Sequence, residues 1–135
     1  MNIDEKINYW SENLKLLEGM ERFSYIIEQA RNAKPLEEEF KISEFQVYGC
    51  ASKLWVVPEF KDEKMNIKID SDAFITKGTA SIIADIFDGQ NCKDIANTTT
   101  EQIARLGIIE ILTPQRQSGL SNMIGTIQKY ASSGK

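Results

Sequence analysis

The sequence contains no histidine. Ser-His-Asp and Cys-His catalysis, an imidazole general base and histidine-built zinc sites are therefore excluded. Cysteine is scarce as well: only Cys50 and Cys92 occur. Two cysteines make no disulfide framework. Within one chain they can neither complete a thiolate zinc site nor hold an iron–sulfur cluster. A surplus of positive charge is missing too. The net charge is −4, from 20 Asp and Glu against 16 Lys and Arg, and the basic residues are scattered. Without a basic patch, neither nucleic acid nor an anionic membrane is an expected partner. No apolar run is long enough to span a bilayer. The N-terminal "MNIDEKINYW" lacks the apolar core of a secretory signal. The expectation is a soluble cytoplasmic protein.

What is present is an ordinary globular composition, 41% hydrophobic and 27% charged. A length of 135 residues suits one domain, residues 1–135, around one core. Ile7, Trp10, Leu14 and Leu17 predict a helix over Asp4–Leu17. Met20, Phe23, Ile26, Ile27 and Ala30 form the stripe of a second. After Pro35, the acidic run Glu37–Glu39 reads as a solvated connection. Three strands follow: Phe45–Tyr48, then Lys53–Phe60 with Pro58 at its end or on an edge, then a stretch where Met65, Ile67 and Ile69 alternate with polar residues. Their short connections predict an antiparallel meander. Ser71 or Asp72 reads as the N-cap of a helix carrying Phe74, Ile75, Ile82, Ile83, Ile86 and Phe87 and ending at Gly89. Gly78 inside that helix predicts close packing against the sheet. Asn91 caps a short turn, a threonine caps "TTTEQIARLG", and Pro114 opens a last helix with Leu120, Met123, Ile124 and Ile127 on one stripe. The predicted class is α+β, a three-stranded antiparallel sheet packed with helices.

The residue that bears chemistry is Cys50, in "FQVYGCASKLWVV". Gly49 permits positive φ, so Gly-Cys-Ala-Ser reads as a tight turn that can project a thiol beyond the sheet. A reactive thiolate needs a cation or backbone N–H groups to lower its pKa. With histidine absent, the candidate cations are Lys53, Lys77 and Arg116. A second reading stands beside this one, and spacing alone favours it: Cys50 as a small hydrophobe packed at a turn. Cys92 follows Asn91 at the start of a helical turn, where amides can lower a thiol pKa; an incidental half-exposed cysteine is the preferred reading. Ser52 lacks a base, and "GCAS" is no hydrolase elbow. Trp10 and Trp55 read as core or interface area, and no glycine-rich phosphate loop occurs.

The segment "VYGCASKLWVV" resembles the signature of the SufE family, which includes CsdE. "MERFSYIIEQARNAKPL" resembles that family's second helix, and "IDSDAFITKGTASII" its Ser-Asp-Ala…Lys-Gly helix start. "LGIIEILTPQRQSGLSNMIGTI" resembles its Leu-Thr/Ser-Pro-x-Arg-x-x-Gly-Leu ending. The motifs occur in family order and cover residues 13–131. One departure is Ala51, where the family usually carries Gln; it bears on contacts of that amide, not on the cysteine.

The resemblance implies a SufE/IscU-like fold and sulfur trafficking. SufE-like proteins take persulfide sulfur from a PLP-dependent cysteine desulfurase, stimulate it, and hand the sulfur to an iron–sulfur scaffold. The carrier corresponds to Cys50, with Gly49, Ser52, Asp72, Lys77 and Arg116 implied as supporting or partner-docking residues. Arg116 is the main candidate for docking or charge support, against a plain helix-surface arginine; Ser71 and Asp72 read as a helix cap that orders the region near the turn. The implied partners are a SufS/CsdA-like desulfurase and a scaffold such as a SufBCD-type complex, with no nucleic acid and no membrane. No cofactor or metal is implied for this chain, because the PLP belongs to the desulfurase. The protein reads as a sulfur-transfer accessory rather than a stand-alone enzyme, and as a monomer. Shelter of the thiol in the free protein would raise its pKa, so docking would have to expose it. Two rivals stay open: a regulatory module that binds a desulfurase without carrying sulfur, and a redox-sensing thiol protein.

Overall fold

The computed structural model describes residues 1–50 and 52–134. Two amphipathic helices come first, α1 (Ile3–Lys15) and α2 (Met20–Asn32). Asn2 and Glu5 close a capping box at the start of α1, and Ile3, Ile7 and Leu14 bury its apolar face. Two short 3-10 turns, Glu38–Phe40 and Ser43–Phe45, lead to the sheet. Strands β1 (Leu54–Lys61) and β2 (Lys64–Ser71) form an antiparallel hairpin, in register from Leu54 opposite Ser71 to Lys61 opposite Lys64. Asp62 and Glu63 turn it with positive φ, as two-residue hairpin loops require. Then come α3 (Phe74–Phe87), β3 (Gln90–Asn91), α4 (Cys92–Ala96), α5 (Thr100–Ala104) and α6 (Pro114–Ser133). The sheet order is β1-β2-β3, antiparallel throughout.

Helix α3 is the centre of the molecule. It meets α2 on one side and β2 on the other, and α1 and α6 also reach it. Its residues Gly78–Ala80, Ile82–Ala84 and Ile86–Phe87 are buried. No side chain caps its N-terminus at Ala73, a loss of about 1 kcal/mol. Burial of Ile82, Ile83, Ile86 and Phe87, at about 1.5–3 kcal/mol each, outweighs it. Capping elsewhere follows the sequence: Asn91 accepts from Lys93 N, Thr99 forms a capping box with Gln102, and Thr113 precedes Pro114 at the first position of α6.

Three expectations are corrected here. The third strand is Gln90–Asn91 rather than Phe45–Tyr48, which contributes a single bridge between Gln46 and Trp55. Val47 N donates to Leu54 O on the outer edge of β1, so the next outward positions are Val56 and Pro58. The ladder stops because Phe45 N and Gln46 N are taken by Ile42 O and Ser43 O in the 3-10 turn, and further along the edge Pro58 has no N–H to offer. Gly78 packs against α2 rather than the sheet, since a Cβ there would coincide with the Ile26 carbonyl oxygen. Ser71 and Asp72 do not cap α3; they bind Lys53, as described below. Among the described residues no helix is long and apolar enough to cross a membrane.

Candidate functional site

The backbone bond from Val47 N to Leu54 O, 2.8 Å, closes a loop at the head of β1 that carries Gly49 and Cys50. Gly49 has φ +84°, a conformation that L side chains rarely adopt. The Asn122 amide, from α6, occupies the place of its missing Cβ. The chain therefore turns onto α6 and lays Cys50 against Gly119. The thiol donates to Gly119 O at an S···O distance of 3.6 Å. A Cβ on Gly119 would lie 3.0 Å from Cys50 Sγ and 3.3 Å from its Cβ. Cys50 is half-buried, and burial pushes its thiol pKa above the ordinary value.

The far end of the loop is held from β2. Asp72 Oδ1 accepts from Lys53 N at 2.9 Å, and Lys53 O accepts from Ser71 Oγ at 2.6 Å and Asp72 N at 3.3 Å. This clamp stands on Asp70. Its carboxylate accepts from Leu36 N at 3.0 Å and Ser71 N at 2.8 Å, and pairs with Lys77 Nζ at 3.2 Å and Lys41 Nζ at 3.4 Å. Only 5% of the Asp70 side chain is exposed. Burial pushes its carboxyl up, but the Leu36 and Ser71 amides and the Lys77 ammonium outweigh burial and hold the pKa below the usual value.

Beneath the thiol lies a cavity of about 20 Å³, lined by Cys50, Leu54, Ile75, Leu112, Arg116 and Met123 among others. That is room for about one small guest. Arg116 Nη1 donates to Thr76 Oγ1 at 2.6 Å, which holds the guanidinium in the wall. Arg116 is the one charged group among the described lining residues. The rise in the Cys50 pKa comes from burial.

Of the residues singled out in the sequence, Gly49, Cys50 and Arg116 come together, and Asp72 joins them through the Lys53 peptide group. Lys77 faces Asp70, so its charge is spent on a carboxylate. The Lys53 side chain is exposed, and Ser52 is half-buried but not among the described lining residues. Ala51 lies outside the described residues. Gly119, Asn122, Thr76 and Asp70 escaped the sequence reading. A glycine inside an otherwise apolar helical stripe is a signal of close approach. Asp70 gave none, because it stands at a polar position of an alternating strand.

Cys92 is buried, not half-exposed. It opens α4, its N–H donates to Glu63 O at 2.8 Å, and burial with the nearby Glu63 charge raises its thiol pKa. Both cysteines are free. Cys92 shares a groove with Ala131 and Gly134 at the far end of α6 from Gly119. Twelve helical positions make about 18 Å, well outside the Cα separation of a disulfide, about 4.4–6.8 Å. Among the described residues no group of three His, Cys, Asp or Glu side chains could hold a metal ion.

Residues 9–131 match the SufE family, described as an Fe-S metabolism associated domain. The chain is 32% identical over 126 residues to SufE-like protein 1, chloroplastic/mitochondrial, of Arabidopsis thaliana, with 89% of this chain and 34% of that protein covered. It thus spans about a third of the length of that relative. It is 34% identical over 119 residues to an uncharacterized SufE-like protein of Rhizobium meliloti (strain 1021), covering 84% of this chain and 85% of that one. The solution structure of a hypothetical protein from Thermus thermophilus superposes with a TM-score of 0.77, at 19% identity, over 94% of this chain and 93% of that one; this likeness concerns the fold. With the family match running through nearly every element, the chain belongs to the SufE family, an Fe-S metabolism associated domain.

Proposed function

We propose that this protein accepts a sulfur atom on Cys50 from the persulfide of a PLP-dependent cysteine desulfurase, stimulates that enzyme, and passes the sulfur to an iron–sulfur scaffold. The observation that carries the proposal is the placement of Cys50: a free thiol on a surface loop, in the family's signature segment, turned onto α6. The Cys50 thiolate attacks the outer sulfur of the donor's Cys–S–SH. A new S–S bond forms on Cys50, the bond between the two donor sulfurs breaks, and the donor cysteine leaves as thiolate. The next acceptor thiolate attacks the outer sulfur and returns Cys50 to its starting state. Sulfur moves without net oxidation.

Docking supplies what the free protein lacks. The sheltered thiol has a raised pKa, so a partner that draws the loop off α6 both exposes and activates it. Tyr48, 63% exposed, stands two residues before Cys50, and Phe74, 60% exposed, stands beside Ile75 of the cavity wall. Two exposed aromatics next to a reactive loop suit a partner surface. They also favour the second reading, a docking module that stimulates the desulfurase without carrying sulfur.

Incubation with a desulfurase and cysteine, followed by non-reducing mass spectrometry, separates the two. The expected result is a gain of about 32 mass units, one sulfur atom, located to Cys50 and absent from Cys50→Ser, with stimulation lost. Loading elsewhere would overturn the assignment. Full stimulation by Cys50→Ser would select the docking module.

A further inference from the structure

We propose that Gly119 is the positioning residue that sets the closed, dormant state of the Cys50 thiol; the meaning of that state for sulfur transfer rests on Cys50 being the carrier. Three observations converge on it. The first is distance. A methyl at 119 would lie 3.0 Å from Sγ, 3.3 Å from Cβ and 3.4 Å from Cα of Cys50, so a side chain there would require Cys50 to give way by a few tenths of an ångström. The second is the acceptor. The thiol hydrogen reaches the Gly119 carbonyl oxygen, S···O 3.6 Å, across the space the methyl would crowd. The third is Gly125 on the same helix, where an added Cβ meets nothing within 4 Å. At Gly125, then, α6 leaves room for a side chain. At 119 Cys50 takes that room.

The helix cannot yield easily to such a methyl. Leu120, Met123 and Ile127, on the same helix, are buried in the core. The loop is the partner left to move: Gly49 packs against Asn122 near one end, and the Ser71–Asp72 clamp holds Lys53 at the other. A methyl at 119 therefore moves the thiol outward. As the thiol loosens from its shelter, its pKa falls back toward the ordinary value and the thiolate fraction at neutral pH rises. The cavity around the thiol is lined from several elements. Leu54 comes from β1, Ile75, Thr76, Thr79 and Ala80 from α3, and Leu112 precedes α6. From α6 come Leu120, Met123 and Arg116, the one charged group among the described lining residues.

The test is alkylation of Cys50 by iodoacetamide, followed by peptide mapping that resolves it from Cys92, at pH 6 to 10. Wild type, Gly119→Ala and Gly125→Ala are compared, with no desulfurase present. Gly119→Ala is expected to react several-fold faster at pH 7, with the midpoint of its rate profile moved to lower pH. Gly125→Ala is expected to match wild type. A Gly119→Ala profile that overlays wild type, or an equal change in Gly125→Ala, would overturn the proposal. If Gly119→Ala does not fold, Cys50→Ala/Gly119→Ala removes the sulfur that the methyl meets and is expected to fold; failure of the double variant also overturns it. Because the readout needs no sulfur donor, its failure is distinct from a failure of persulfide loading.

Discussion

Replacing Asp70 by Asn is expected to destabilise the protein by about 3 kcal/mol at pH 7. The carboxylate is buried and accepts two backbone N–H bonds while pairing with two ammonium groups. An amide keeps the shape but turns one oxygen into a donor, which then confronts either Leu36 N–H or Ser71 N–H. Breaking a buried pair by removing one partner costs about 3–5 kcal/mol. Lys77 and Lys41 keep 16% and 22% of their side chains exposed, so both can recover some hydration, which places the cost at the low end. For a chain of 135 residues, about 3 kcal/mol corresponds to a fall in Tm of about 10 °C, within a total stability of about 5–15 kcal/mol. Calorimetry against pH tests the cause. The folded-state pKa of Asp70 lies below its ordinary value. Its stabilisation is therefore complete above the unfolded pKa, about 3.9, and is lost as pH falls through the folded pKa. The gap between wild type and Asp70→Asn should be wide at pH 7 and should narrow below about pH 4. A gap under about 1 kcal/mol at pH 7, or one that acid leaves unchanged, would refute the charge-based account.

Arg116→Ala is expected to weaken desulfurase stimulation while lowering Tm by only a few degrees, since it removes one hydrogen bond, to Thr76, worth about 1 kcal/mol net. Unchanged stimulation would return Arg116 to a wall-filling role. Cys92→Ser is expected to keep full persulfide loading and full stimulation but to melt lower, because a hydroxyl replaces a buried thiol. A Cys50–Cys92 disulfide in non-reducing peptide maps of loaded protein would replace the one-cysteine relay with a two-cysteine mechanism.

Much of this protein is legible before any contact between its elements is known. The missing histidine removed whole reaction classes. Helical stripes such as Ile7 with Leu14, and Leu120 with Met123 and Ile127, marked faces that are buried. They were legible because a stripe needs only an apolar surface opposite, whatever that surface is. The caps at Asn91 and at a threonine ahead of α5, which is Thr99, were legible because a cap binds amides two or three residues away. The segment around Cys50 pointed to the family and to the one candidate carrier.

Contacts that reach across the chain became visible in the fold alone. Gln90–Asn91 is too short for a pattern, and it became the third strand because the turn after α3 delivers it to β2. Asp70 stands at a polar position of β2, yet the chain at Leu36 and the lysines at 41 and 77 cover it. That pairing turns Lys77 from a candidate for the thiol into the partner of a carboxylate. Cys50 and Gly119 are 69 residues apart in sequence. Periodicity says that a residue faces inward. It does not say which atom from elsewhere will be there, because that depends on how whole elements pack. The shelter of the Cys50 thiol arose in that way, from α3 and α6 packing around a loop far from both in sequence.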